Sequence, residues 1–211
     1  SGINPITDAT VYEKYSEPTV VNNTPTYWLR ASEVQFLLAE AALIGWYTND
    51  TAENLYKKGI ELSFTENGLT SSAAAYYNTS ASPANYIDPK NSSYNANAVS
   101  TIDKKWMSSG SEEEKLEQII TQKYLANYPN GFESWSEWKR TGYPRMFGVP
   151  FDLSNKGSQN ISSSGKEYGV RRYPFPQKEF ELNRENVTAA QALLGGTDNA
   201  ATNVWWDKKT K

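Results

Sequence analysis

A chain of 211 residues has room for one domain or two small ones, and with 13% aromatic residues it can fill a core and still leave rings for the surface. A net charge of −3 with both signs mixed along the chain gives neither the basic stripe of an electrostatic nucleic-acid binder nor a polybasic membrane-surface segment. The absence of cysteine and histidine excludes disulfides, thiolate chemistry, the common zinc and copper sites and a Ser-His-Asp triad; only oxygen-ligand metals such as calcium are left, and no cofactor is expected.

Residues 1–28 are rich in Pro, Asn and Thr and carry neither a basic n-region nor an apolar h-region, so they read as an irregular lead-in with one extended stretch near Thr19–Val21 and not as a signal peptide. In "RASEVQFLLAEAALIG", Val34, Leu37, Leu38, Ala41, Ala42 and Gly45 recur at helical spacing, which predicts a helix from Arg30 to Ile44 stopped by Gly45. That apolar run is interrupted by Glu40 and is too short to span a bilayer. A second helix follows, with Asp50 as its cap, Glu53 at the third position and an end near Asn67-Gly68; Ala52, Leu55, Tyr56, Gly59, Ile60 and Ser63 form its stripe. So short a connection makes the pair antiparallel, and the Ala52/Tyr56/Gly59 spacing resembles the second helix of a tetratricopeptide (TPR) unit.

Residues 71–110 form a variable excursion dense in Ser, Asn, Ala and Tyr, with a short helix near Ser72–Tyr77 and one turn around Pro83–Ile87. Periodicity returns with Ser111 as a cap and Glu114 in its capping box, three acids in the first turn, and Leu116, Ile119, Ile120 and Tyr124 along one face. A turn at 129–131 leads into "FESWSEWKRT", a fourth helix ending at Gly142, so that 111–142 repeats the helical pairing of 29–70. Residues 143–211 are again irregular, with short helices at Gln177–Arg184, where Pro176 suits the first helical position, and within 187–196. "DLSNKGSQN" (152–160) has oxygen donors without the spaced acids of an EF-hand loop and reads as a polar loop.

Four blocks, in this order, resemble the SusD/RagB-like family: "WLRASEVQFLLAEAALIG", "ITQKYLANYPNGFESWSEWKRTGYPRM", "RRYPFPQKEFELN" and the closing "VWWD". The resemblance implies a mainly α fold, a partial SusD-like superhelix of TPR-like antiparallel hairpins with long irregular loops. It also implies a non-catalytic component that binds a glycan or another small nutrient at the extracellular face of the outer membrane of Bacteroidetes. Such a component is held by a lipid anchor and delivers ligand to a SusC-like TonB-dependent transporter. Against a whole family member the chain reads as a single C-terminal domain or fragment, 1–211.

Because the blocks are shared by members with different ligands, the resemblance assigns Trp135 and Trp138, Trp205-Trp206, the ion pairs of Arg140 with Glu133 and Glu137, and Arg171-Arg172 with Glu179 to structure. Ligand contacts are then expected outside the blocks. Sugar rings present apolar C–H faces to aromatics and hydroxyls to polar side chains, and the excursion supplies both in Tyr76, Tyr77, Tyr86, Asp88, Lys90, Asn91, Tyr94, Asn95, Asn97 and Trp106. Trp46-Tyr47, between the first two helices, is a second candidate. The alternatives are that these rings pack locally, that the chain is a TPR-like interaction scaffold with no sugar site of its own, or that it is a glycoside hydrolase with a carboxylate pair that no motif here marks.

Overall fold

The computed structural model describes residues 25–147, 171–200 and 202–207. The described residues form helices α1 (Ala31–Leu43), α2 (Ala52–Glu66), α3 (Ala73–Asn78), α4 (Glu112–Ala126), α5 (Gly131–Thr141), α6 (Gln177–Leu182) and α7 (Arg184–Ala192), with 3-10 turns at Thr70–Ser72 and Ser92–Tyr94. The stretch near Thr19–Val21 and the polar loop at 152–160 lie outside the described residues.

α1 and α2 pack antiparallel, and one contact shows how. Arg30 caps α1 without a side-chain hydrogen bond, which leaves first-turn N–H groups open. Glu66, the last residue of α2, takes their place: its carboxylate accepts from the Ser32 N–H at 3.0 Å and from the Ser32 hydroxyl at 2.7 Å. The end of one helix thus caps the start of the other, and a negative charge sits at the positive end of the α1 dipole. Gly45 (φ +80°) and Gly142 (φ +82°) adopt the left-handed conformation expected just past the ends of α1 and α5.

The core is built from α1, α2 and α4 with Tyr143. Phe36, Ala39, Leu55, Tyr56, Ile60, Ile119, Ile120, Ala126 and Tyr143 form one buried cluster. On α1 the buried face is Ser32, Glu33, Phe36 and Ala39, rotated from the expected stripe so that Leu37 faces solvent. α1 must cover both α2 and α4, and the residues between those two contacts are the ones buried. Gly59 allows the close approach of α1 and α2: a Cβ there would lie 2.7 Å from Cε1 of Phe36. Gly59→Ala is therefore expected to destabilise the chain by about 1–3 kcal/mol through overpacking, more than helix propensity returns, as urea unfolding would measure. A variant at least as stable as the parent would contradict this packing.

Several local expectations need correction. Thr51, not Asp50, caps α2 through its hydroxyl, and Asp50 instead accepts from the Thr51 N–H and the Asn54 side chain. Glu53 makes an i,i+4 ion pair with Lys57 at 2.6 Å. Pro83–Ile87 is not helical; Tyr86 forms an antiparallel bridge with Ala96 that turns the excursion back on itself. Pro176 is the cap of α6 and precedes its first residue. The capping box of Ser111 and Glu114 is present as expected.

Candidate functional site

The excursion is held to the helices by polar contacts at its base. The Tyr56 hydroxyl donates to the Lys104 carbonyl at 2.6 Å, and the Gln118 amide donates to the carbonyls of Asp103 and Lys105 while accepting from the Met107 N–H. Trp106 stacks on Tyr56, centroids 5.2 Å apart, and packs against the core. Tyr76 lies beside Phe64 and exchanges a hydrogen bond with Gln122, and the Tyr77 hydroxyl donates to Glu61, which holds its phenol above the ordinary value. Tyr47 also packs on the core cluster.

The tip of the excursion is organised by Asp88. Its carboxylate accepts from the N–H groups of Lys90 and Asn91 and from the Tyr86 hydroxyl, while its own N–H donates to the Asn95 side chain. Asn91 caps the 3-10 turn that contains Tyr94. Carboxylate and amide side chains satisfying a loop's own N–H groups is the chemistry of a tight, pre-shaped loop. Tyr86, Lys90, Asn95 and Asn97 are exposed along it, and Tyr94 is half-buried. Trp46, just past the α1 stop, is 83% exposed. Tyr86, Asp88, Asn91 and Asn95 are thus gathered into one loop, whereas Tyr76, Trp106 and Tyr47 lie against the helices.

A second surface was not anticipated from the sequence. Residues 25–30, the start of α5 and Tyr173 enclose a cleft of about 870 Å³. Its walls include Trp28, Leu29, Phe132, Trp135 and Tyr173, and its floor includes Arg30, Glu33 and Asn127. Trp135 accordingly does not share the core position of Trp138: Trp138 is buried beneath the Arg171 guanidinium, and Trp135 is exposed beside Lys139. Trp28 and Phe132 were legible only as rings outside the helical stripes, at the entrances to α1 and α5.

Beneath the cleft lies a buried charge cluster. Lys123, 1% exposed, has its ammonium 3.3–3.4 Å from the carboxylates of Glu33, Glu133 and Glu137. Arg140 clamps Glu40 of α1 with two nitrogens and also holds Glu137, so Glu133 belongs to Lys123 and not to Arg140. Burial would raise the Glu137 carboxyl, yet the Arg140 hydrogen bonds and the charges of Lys123 and Arg140 hold it below the usual carboxylate range. In the C-terminal region Arg171 pairs with Asp207 and Arg172 with Asp198, which replaces the expected pairing with Glu179. The Lys139 ammonium donates to the Arg171 carbonyl at 2.6 Å and ties that region to α5. Trp205 and Trp206 meet edge to face but are exposed, contrary to a packing role within the described residues.

The family model described as SusD-like, SusD and RagB outer membrane lipoprotein, matches residues 1–207. Among solved structures, a chitin-binding SusD homologue from Flavobacterium johnsoniae is 40% identical, with a TM-score of 0.67 over 86% of this chain and 36% of its own. A SusD homologue from Bacteroides thetaiotaomicron is 39% identical, with a TM-score of 0.75 over 91% of this chain and 40% of its own. One from Bacteroides vulgatus is 32% identical, with a TM-score of 0.75 over 97% of this chain and 41% of its own. No curated protein matches. The chain spans about two fifths of the length of these structures. With a family match along almost its whole length and helices building most of the core of the described residues, the chain belongs to the SusD-like family of SusD and RagB outer membrane lipoproteins.

Proposed function

We propose that this chain is part of a non-catalytic, glycan-binding component of a nutrient-uptake system at the extracellular face of the outer membrane, one that passes its ligand to a SusC-like TonB-dependent transporter. The observation that carries the reading is the 40% identity, over 86% of the chain, to the chitin-binding SusD homologue from Flavobacterium johnsoniae. The same proposal takes residues 1–211 as one C-terminal SusD-like unit, supported by the family match along residues 1–207 and, among the described residues, by the core cluster that joins α1, α2, α4 and Tyr143.

The ligand face in this reading is the excursion together with the α1–α2 turn. Trp46 and Tyr86 offer exposed rings to the apolar faces of sugars, and Lys90, Asn95 and Asn97 offer donors to hydroxyls. Asp88, Asn91 and Tyr94 shape the loop, while Tyr47, Tyr76, Tyr77 and Trp106 pack on the core cluster. The carboxyls of Glu137 and Asp198 are held below the usual range by hydrogen bonds to Arg140 and Arg172, so neither of these two is poised as a general acid.

In calorimetric titration with the polysaccharide that binds best, Trp46→Ala and Tyr86→Ala are each expected to weaken binding about tenfold, or about 1.4 kcal/mol. Tight binding by both variants would move the ligand face elsewhere.

A further inference from the structure

The cleft between residues 25–30, the start of α5 and Tyr173 is unlike a finished protein surface. Trp28 is 94% exposed and Phe132 90%, and Leu29, Trp135 and Tyr173 are exposed beside them. So contiguous an apolar patch marks a surface that something covers. A second observation points inward. Asn127, on the cleft floor, is 2% exposed, yet neither its Oδ1 nor its Nδ2 has a hydrogen-bond partner. A buried amide left unpaired is costly, and natural structures pair such groups.

The chemistry of the two observations together selects the occupant. A side-chain amide sets one acceptor beside one donor, which matches the N–H and C=O of a peptide group. Leu29, Pro25, Pro129 and Phe132 add apolar walls that suit polypeptide side chains; a sugar would gain little from the leucine and prolines. The length of the relatives supplies a source, since this chain matches only 36–41% of each of the three solved structures. We propose that the cleft is the seat for polypeptide from the part of a full-length SusD-like protein that these 211 residues do not match, with one peptide group held on Asn127. This inference does not depend on the glycan reading and stands or falls separately from it.

The chain has no cysteine, and a Cβ at Gly131 on the cleft wall meets nothing within 4 Å, so Gly131→Cys places a single thiol there without disturbing the aromatics. Maleimide labelling of Gly131→Cys is expected to be fast in the 211-residue chain. In the full-length protein, with its other cysteines replaced, labelling should be at least about 100-fold slower, while a control Lys58→Cys on the exposed side of α2 reacts alike in both. Equal rates at Gly131→Cys in the two proteins would overturn the proposal. So would slowing that appears only with added polysaccharide, which would make the cleft a sugar site. Slowing in the short chain that grows with its concentration would make it a self-association surface, and would overturn the proposal too. A second variant tests the amide. Asn127→Leu is expected to lower the melting temperature of the full-length protein and leave that of the short chain unchanged or raised. A fall of equal size in both would make Asn127 an ordinary core residue and remove it from the seat.

Discussion

Replacing Lys123 by methionine is expected to destabilise the chain by about 3–5 kcal/mol, because it removes one partner from a buried ion cluster and leaves the others uncompensated. The ammonium is enclosed by the carboxylates of Glu33, Glu133 and Glu137, and its removal has unequal consequences for the three. Glu133 is partly exposed and can turn to water, and Glu137 keeps Arg140; Glu33, buried on α1, keeps no cation among the described residues. The double variant Lys123→Met with Glu33→Gln should therefore recover part of the loss, which separates an unpaired charge from lost packing of the lysine stem. Urea unfolding of the parent and the single and double variants makes the comparison. A single variant within about 1 kcal/mol of the parent would mean that water already reaches the cluster.

The same cluster sets an acid limit. The Glu137 carboxyl has its folded value below its unfolded one, so its contribution is complete above the ordinary glutamate value of about 4.3. That contribution is lost as pH falls through the depressed folded value. Removing Lys123 takes away one of the charges that depress it, so the acid-side loss of stability should be shallower in Lys123→Met than in the parent.

Tyr56→Ala is the second large effect, about 3–5 kcal/mol for truncating a fully buried ring in a packed core. Tyr56 meets Phe36 of α1 at 6.3 Å and Trp106 at 5.2 Å, and burial pushes its phenol far above the ordinary tyrosine value while the hydroxyl donates to Lys104. It therefore joins the helix pair to the base of the excursion. Tyr56→Phe keeps the ring and loses only that hydrogen bond, for an expected cost of roughly 1 kcal/mol. Amide exchange reads the difference. Tyr56→Ala should speed exchange in both α2 and the excursion, and Tyr56→Phe chiefly around 103–107. Unchanged exchange at 103–107 in both variants would show that Gln118 alone holds that segment.

The helices were legible because their signals are local. The capping box of Ser111 and Glu114, the glycines at 45 and 142 and the stripe from Leu55 to Ile60 need only neighbours a few residues away. What escaped depends on contacts far along the chain. Ser32 is capped from Glu66, Arg140 reaches Glu40, and Arg171 and Arg172 find Asp207 and Asp198. No spacing rule distinguishes these partners from other acids. Lys123 is an intermediate case: it falls four residues after Ile119 and three after Ile120, on the buried side of α4, so its position marked it although its charge argued against it. The cleft was harder still, since Trp28, Phe132 and Tyr173 converge from three separate segments.

The most direct test of the account is native electrophoresis of the chain through gels that each contain one polysaccharide, a soluble chitin derivative among them, with the released reducing sugar assayed in parallel. The account predicts retardation in at least one gel, relieved by the matching free oligosaccharide, and no release of reducing sugar. Migration unchanged in every gel would contradict a glycan-binding surface on this chain, and sugar release would contradict its non-catalytic role.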